Sequence, residues 1–183
     1  MNTLTLRTRS GRAARTGPAL CMLALLAAAP LTGQCGTPDM SSLSELPPTE
    51  LNASSLQAST FQKGSLNTGS IAQKGANTVA SISQEGANNH ATVSQTGVDN
   101  TAILAQYGAG NDAQILQSGS GDSGDITQRG NGNHAKLEQY ASNASASLNQ
   151  FGNFNQLSVT QTVPGPLPPI IQIGAGLKLN VYR

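Results

Sequence analysis

Tryptophan is absent from this 183-residue chain, aromatic residues make up 3% of it, and charged residues only 10%. The lack of aromatics excludes an orthodox core of large apolar side chains. The lack of charge excludes the highly charged type of disordered chain, the usual alternative when a core cannot be built. Long apolar runs are missing too: the most hydrophobic stretch, PALCMLALLAAAPL at residues 18–31, is too short to cross a bilayer as a helix. Cysteine is limited to Cys21, inside that stretch, and Cys35, just beyond it. Once the stretch is removed, no internal disulfide is available.

The apolar stretch follows Arg7, Arg9, Arg12 and Arg15, with no acidic residue before Asp39. A basic segment followed by a short apolar one is the pattern of a secretory signal, here expected to span residues 1–34. LTGQC, ending at Cys35, faintly resembles a lipidation signal, but Gln34 stands where a small residue is expected. Beyond residue 34 the chain holds six Lys and Arg against nine Asp and Glu, a net charge of −3. There is no basic patch for nucleic acid.

What the chain does have is a clock. Gln62, Gln73, Gln84, Gln95, Gln106, Gln117, Gln128, Gln139, Gln150, Gln161 and Gln172 follow one another at a constant spacing of eleven. Counted from each glutamine, the unit reads Q-x-G-x-x-N-x-A-x-[ILV]-x, and the ninth position after Gln is always aliphatic, from Ile71 to Val181. Asn, Ala, aliphatic and the next Gln alternate with other residues, so they share one face of an extended strand. Each unit is therefore read as a seven-residue strand, such as Asn89 to Gln95, plus a four-residue corner containing glycine.

A longer period lies inside the first. Odd-numbered units carry Gly64, Gly86, Gly108, Gly130 and Gly152 at the corner, and Asn67, Asn89, Asn111, Asn133 and Asn155 three residues on. Even units are looser in the asparagine slot, with Thr78, Asn100, Asp122, Ala144 and Pro166. The true repeat is 22 residues, which predicts an all-β fold: a β-solenoid of about five strand–corner–strand–corner rungs over 62–171, with amyloid-like cross-β stacking. Residues 35–61 form a flexible leader with a weak lead-in strand, and 172–183 a divergent half-repeat after the break VPGPLPP. That break suggests a tail able to detach, capping or tethering one end of a fibre.

Stacked rungs explain the clock. At about 4.8 Å, identical Gln or Asn side chains hydrogen-bond to their copies above and below. A lone inward amide would instead be costly. A single strand offering one Ala and one larger aliphatic buries too little to order itself, so neighbouring units must supply the rest.

The pattern, in 22-residue pairs behind a secretory signal, resembles the curlin repeat of curli fibre subunits over about two thirds of the chain. The resemblance implies a secreted, extracellular subunit of functional amyloid that associates with itself, with other curli subunits and with the outer-membrane secretion and assembly machinery. It implies no enzymatic activity, cofactor, nucleic acid or small-molecule substrate. The Ser-rich acidic leader and the basic Lys178 and Arg183 of the last unit favour the minor, nucleating subunit over the major one.

Several residue clusters and three other protein classes compete with this reading. His90, Asp112 and His134 share one outward column and could ligate a metal, although tolerated polar residues on a wet face account for them more simply. Asp112, Asp122 and Asp125 are candidate gatekeepers against stacking. Tyr107, Tyr140 and Phe151 follow glutamine at corners, suited to corner packing. An enzyme would need converging acids or a nucleophile, an ice-binding solenoid a flat threonine array, and a monomeric adhesin capped ends.

Overall fold

The computed structural model describes residues 55–183 and, for Thr3–Arg9, the backbone alone. The apolar stretch of the expected signal, both cysteines and most of the leader lie outside the described residues. Strands alternate between two parallel sheets. One sheet stacks β2 (Leu56–Ser65), β4 (Thr78–Ala87), β6 (Thr101–Ala109), β8 (Ser123–Asn131) and β10 (Ala144–Asn153), and ends in β12 (Gly165–Pro166) and β13 (Ile170–Ala175). The facing sheet stacks β3 (Thr68–Ala76), β5 (His90–Val98), β7 (Asp112–Ser120), β9 (His134–Gln139), β11 (Gln156–Gln161) and β14 (Lys178–Tyr182). The register steps by 22 residues: Gln62 pairs with Gln84, Gln84 with Gln106, Gln73 with Gln95. The fold is a β-solenoid, as the repeat predicts, and its stack is about six turns deep.

Two additions make up the difference from five rungs. The lead-in is a full strand, because Leu56 to Ser65 pair residue for residue with Thr78 to Ala87. The tail also docks: Ile170 to Ala175 pair with Leu148 to Asn153, and Lys178 to Tyr182 with Gln156 to Thr160. The proline break leaves its gap between β12 and β13, where a ladder lacking donors cannot continue.

The core lies between the sheets. Ile71, Ile82, Val93, Leu104, Ile115, Ile126, Leu137, Leu148 and Val159 are buried with the alanines two residues before most of them. Alternation along each strand directs these residues inward and leaves the mixed Ser, Thr and charged set outside.

The corners differ from the expected form. Where the corner holds a glycine, strands run on through it, as β5 does through Gly97 to Val98, and break at the fourth residue after Gln, whereas β9 and β11 stop at Gln139 and Gln161. Two backbone bends make the turn. The glycine takes a positive φ, +119° at Gly108, and the residue two places on is left-handed, as at Asp99 with φ 59°. Because the first bend keeps the backbone paired with the next rung, Gly86 with Gly108 and Gly108 with Gly130, the strand continues through it.

One strand breaks the pattern. β1 (Thr3–Arg9) lies antiparallel on β3, with Leu4 opposite Gln73 and Leu6 opposite Ile71, at the N-terminal edge of the second sheet. Every other pairing in that sheet is parallel.

Candidate assembly surface: amide columns and two corners

The glutamines form two columns. In one, Gln62 donates to Gln84, Gln84 to Gln106, Gln106 to Gln128, Gln128 to Gln150 and Gln150 to Gln172, with Nε2–Oε1 distances of 2.7–3.0 Å. In the other, Gln73 donates to Gln95, Gln95 to Gln117, Gln117 to Gln139 and Gln139 to Gln161, at 2.8–3.3 Å. The second amide hydrogen crosses to a backbone carbonyl of the opposite sheet, for example Gln84 to Thr68 O at 3.1 Å and Gln106 to His90 O at 2.8 Å. A carbonyl can only accept, so this cross-bond fixes which end of each amide is nitrogen. Nearly all of these side chains are fully buried, and the ladder leaves them satisfied apart from Gln73 Oε1 at its N-terminal end.

The asparagines of the odd units make a third column at the first corner. Asn111 donates through Nδ2 to Gly130 O (2.8 Å) and to Asn89 Oδ1 (3.2 Å), while its own Oδ1 accepts from the backbone N–H and Nδ2 of Asn133 (3.0 and 3.2 Å). Asn67, Asn89, Asn133 and Asn155 occupy equivalent places, and the column ends where Leu177 gives its N–H to Asn155 Oδ1. The corner glycines Gly64, Gly86, Gly108, Gly130 and Gly152 stack beside them. A Cβ at any of these five would stand 1.9–2.0 Å from the carbonyl oxygen of the glycine above.

The second corner is less complete. Thr78 and Asp122 are buried, and each leaves a side-chain oxygen without a partner. Asp122 accepts the Ala144 N–H at Oδ1 (3.0 Å) and itself donates only its backbone N–H, to Asn100 Oδ1 (2.9 Å). Burial pushes the Asp122 carboxyl above the usual carboxylate range, partly offset by the Ala144 hydrogen bond. Asp125 lies on the outer face between Ile103 and Ser147; its carboxyl is also raised by burial, offset by a hydrogen bond with Thr127.

The remaining candidates lie on the outside. Asp112 and His134 form an exposed pair (3.2 Å), and His90 lies one rung before them in the same column. Among the described residues, no group of three or more His, Cys, Asp or Glu side chains converges as a metal site. Tyr107 packs under the Arg129 guanidinium, 4.9 Å from its ring centre, so this corner aromatic serves a stacking contact.

Arg183 was read from the sequence as a basic residue of the last unit, without its place in the repeat. It stands on the eleven-residue clock after Gln172, in the glutamine station of the last rung, and that spacing was the available signal. Its backbone N–H bonds Thr160 O, and its guanidinium donates to Pro166 O at 2.9 Å.

A family profile described as the curlin-associated repeat matches residues 64–97, 86–119 and 119–152. No curated protein and no solved structure matches the chain.

Proposed function

A chain built on the curlin-associated repeat is a curlin protein, and from that premise we propose that it is the minor, nucleating subunit of an extracellular curli-type fibre. The observation that carries the reading is the run of buried amide columns from Gln62 to Gln172 and from Gln73 to Gln161. Each glutamine presents the same donor and acceptor to the next, so a further rung can come from another molecule as well as from the same chain. On this reading the chain is a structural protein, secreted behind residues 1–34 and held at the cell surface in the matrix of a biofilm. Its partners are other curli subunits and the outer-membrane secretion and assembly machinery. Lys178 and Arg183 on the last rung support the minor-subunit assignment, since Arg183 puts a guanidinium at a station where the inner rungs carry glutamine.

The test is assembly of the purified secreted chain. Fibres that bind thioflavin T and diffract at about 4.7 Å along their axis are expected. A protein that stays monomeric and folded over days would instead be a solenoid adhesin. For the finer assignment, a substoichiometric dose should shorten the lag of a major curli subunit. An unchanged lag would make this chain a bulk subunit.

A further inference from the structure

The glutamine columns have a direction. Each Nε2 donates towards the C-terminal rung, and each Oε1 accepts from the N-terminal side. The C-terminal end of the stack therefore presents donors and the N-terminal end acceptors. Gln73 Oε1, the first acceptor of the second sheet, is buried and accepts no hydrogen bond. At the other end of that column stands Arg183, whose guanidinium has only donors to offer.

We propose that the two ends of the molecule are complementary halves of one joint, in which the C-terminal end of a second copy stacks on the N-terminal end of the first and its Arg183 donates to Gln73 Oε1. This rests on the fibre reading above. Spacing supports it: Gln62 to Gln172 and Gln73 to Arg183 are equal spans, so placing Gln62 of one copy beyond Gln172 of another brings Gln73 beyond Arg183. Shape supports it as well. The column that carries Ala91, Ala113 and Ala135 begins at Gly69 and ends at Leu157 and Leu179, and Leu179 is 41% exposed. A bulky residue left open at one end thus meets a glycine at the other. The asparagine column adds nothing, because Leu177 has no amide oxygen.

The joint makes stacking head-to-tail and assigns a role to β1. Laid antiparallel over the Gln73 edge, β1 occupies the seat of the incoming strand, and a reversed strand is a poor template for a parallel stack. With residues 1–34 attached, the second-sheet half of the acceptor end is closed, and removing them opens it.

The experiment uses the full chain with a protease site inserted after Gln34, cut in solution, with seeded elongation followed by thioflavin T fluorescence. The uncut chain should elongate at least about tenfold more slowly than the cut one. Among cut chains, Arg183→Leu should slow elongation about tenfold, the effect of one charge-assisted hydrogen bond. Arg183→Gln, which restores an amide donor, should stay within about twofold of the parent. Because Arg183 also holds Pro166 O, a second variant leaves the tail untouched: Gly69→Leu fills the space that Leu179 needs and should slow elongation likewise. Arg183→Leu and Gly69→Leu elongating as fast as the parent would overturn the joint, and equal rates before and after cutting would overturn the role of β1. A cut parent that forms no fibre at all would overturn the fibre reading itself, and the joint with it.

Discussion

The two corners of the solenoid do the same geometric job with different completeness. The corner after the first sheet carries six glycines in register, Gly64 to Gly174, and five asparagines. The corner after the second sheet begins the same way with Gly75, Gly97 and Gly119, then carries Ala141 and Val163, while its asparagine slot passes through Asp122 to Ala144 and Pro166. The backbone follows the chemistry. Positive φ holds at every glycine of the first corner, whereas at the second it holds at Gly75 and Gly97 but not Gly119, and β9 stops at Gln139. One edge is locked and the other is relaxed. The relaxed edge takes residues that the locked one would reject.

The largest effect should come from adding a single methyl group at each corner. In Gly108→Ala the new Cβ would stand 2.0 Å from Gly130 O at a backbone φ of +119°. A clash with backbone on top of an unfavourable φ should cost about 3 kcal/mol or more. Gly119→Ala has no positive φ to strain and meets the Asp122 carboxylate and Ala141 O. Ala141 already occupies the equivalent station one rung on, so a loss of ~1 kcal/mol is expected. Urea midpoints measure both, and equal losses would remove the distinction between the corners.

The asparagine slots sharpen the comparison. Asn111→Ala strips Gly130 O of its side-chain donor and breaks the column in both directions. Asn100 makes fewer such links: it donates to Gly119 O at 3.1 Å and Thr96 O at 3.3 Å, and accepts only from the Asp122 N–H. Losses of about 2–3 kcal/mol for Asn111→Ala and about half that for Asn100→Ala follow from the number of groups orphaned. If Asn100→Ala proves the more damaging in urea titrations, the locked-edge description fails.

Much of this was legible in the sequence, because stacking forces identity at positions that touch their own copies. Gln, the aliphatic column and the corner glycine recur for that reason. The second bend was not legible. Leu66, Asn77, Asn88, Asp99, Asn143 and Phe154 are all left-handed there, as are Gly110, Gly121 and Gly132 at the same station in the middle rungs. That residue is largely exposed, and its backbone is fixed by a bond to the rung below, as Asp99 N–H is by Ala76 O at 3.1 Å, so its side chain is unconstrained. β1 was invisible for a different reason: its antiparallel pairing carries no 11-residue signature. Arg183 was legible as a basic residue of the last unit but not as a member of the glutamine column, because it breaks the letter of the repeat while keeping its position.

The smallest expected effect lies at Asp122 and depends on pH. In the asparagine slot, Nδ2 reaches a carbonyl nineteen residues on, Asn89 to Gly108 O and Asn100 to Gly119 O. The same step from 122 leads to Ala141 O, and there the carboxylate has an oxygen where a donor belongs; Oδ2 is buried and unpartnered. Asp122→Asn supplies that donor and should raise stability at pH 7 by ~1 kcal/mol. The sign of the pH dependence follows from the raised carboxyl. The folded state holds the proton more tightly than the unfolded chain does. The stability this gives the parent is fully present below the ordinary value of 3.8 and is lost as pH rises through the higher folded value. The variant's advantage should therefore be largest at neutral pH and shrink as pH falls towards 3.8. Asp125 contributes in the same direction, and Glu138, held low chiefly by Lys136, in the opposite one, but both are present in parent and variant and leave the difference unchanged. Urea midpoints of the two proteins at neutral and acid pH decide the matter. A gap that stays constant with pH would mean that Asp122 is not the titrating group. No gap at either pH would mean that the relaxed corner has adjusted to the carboxylate.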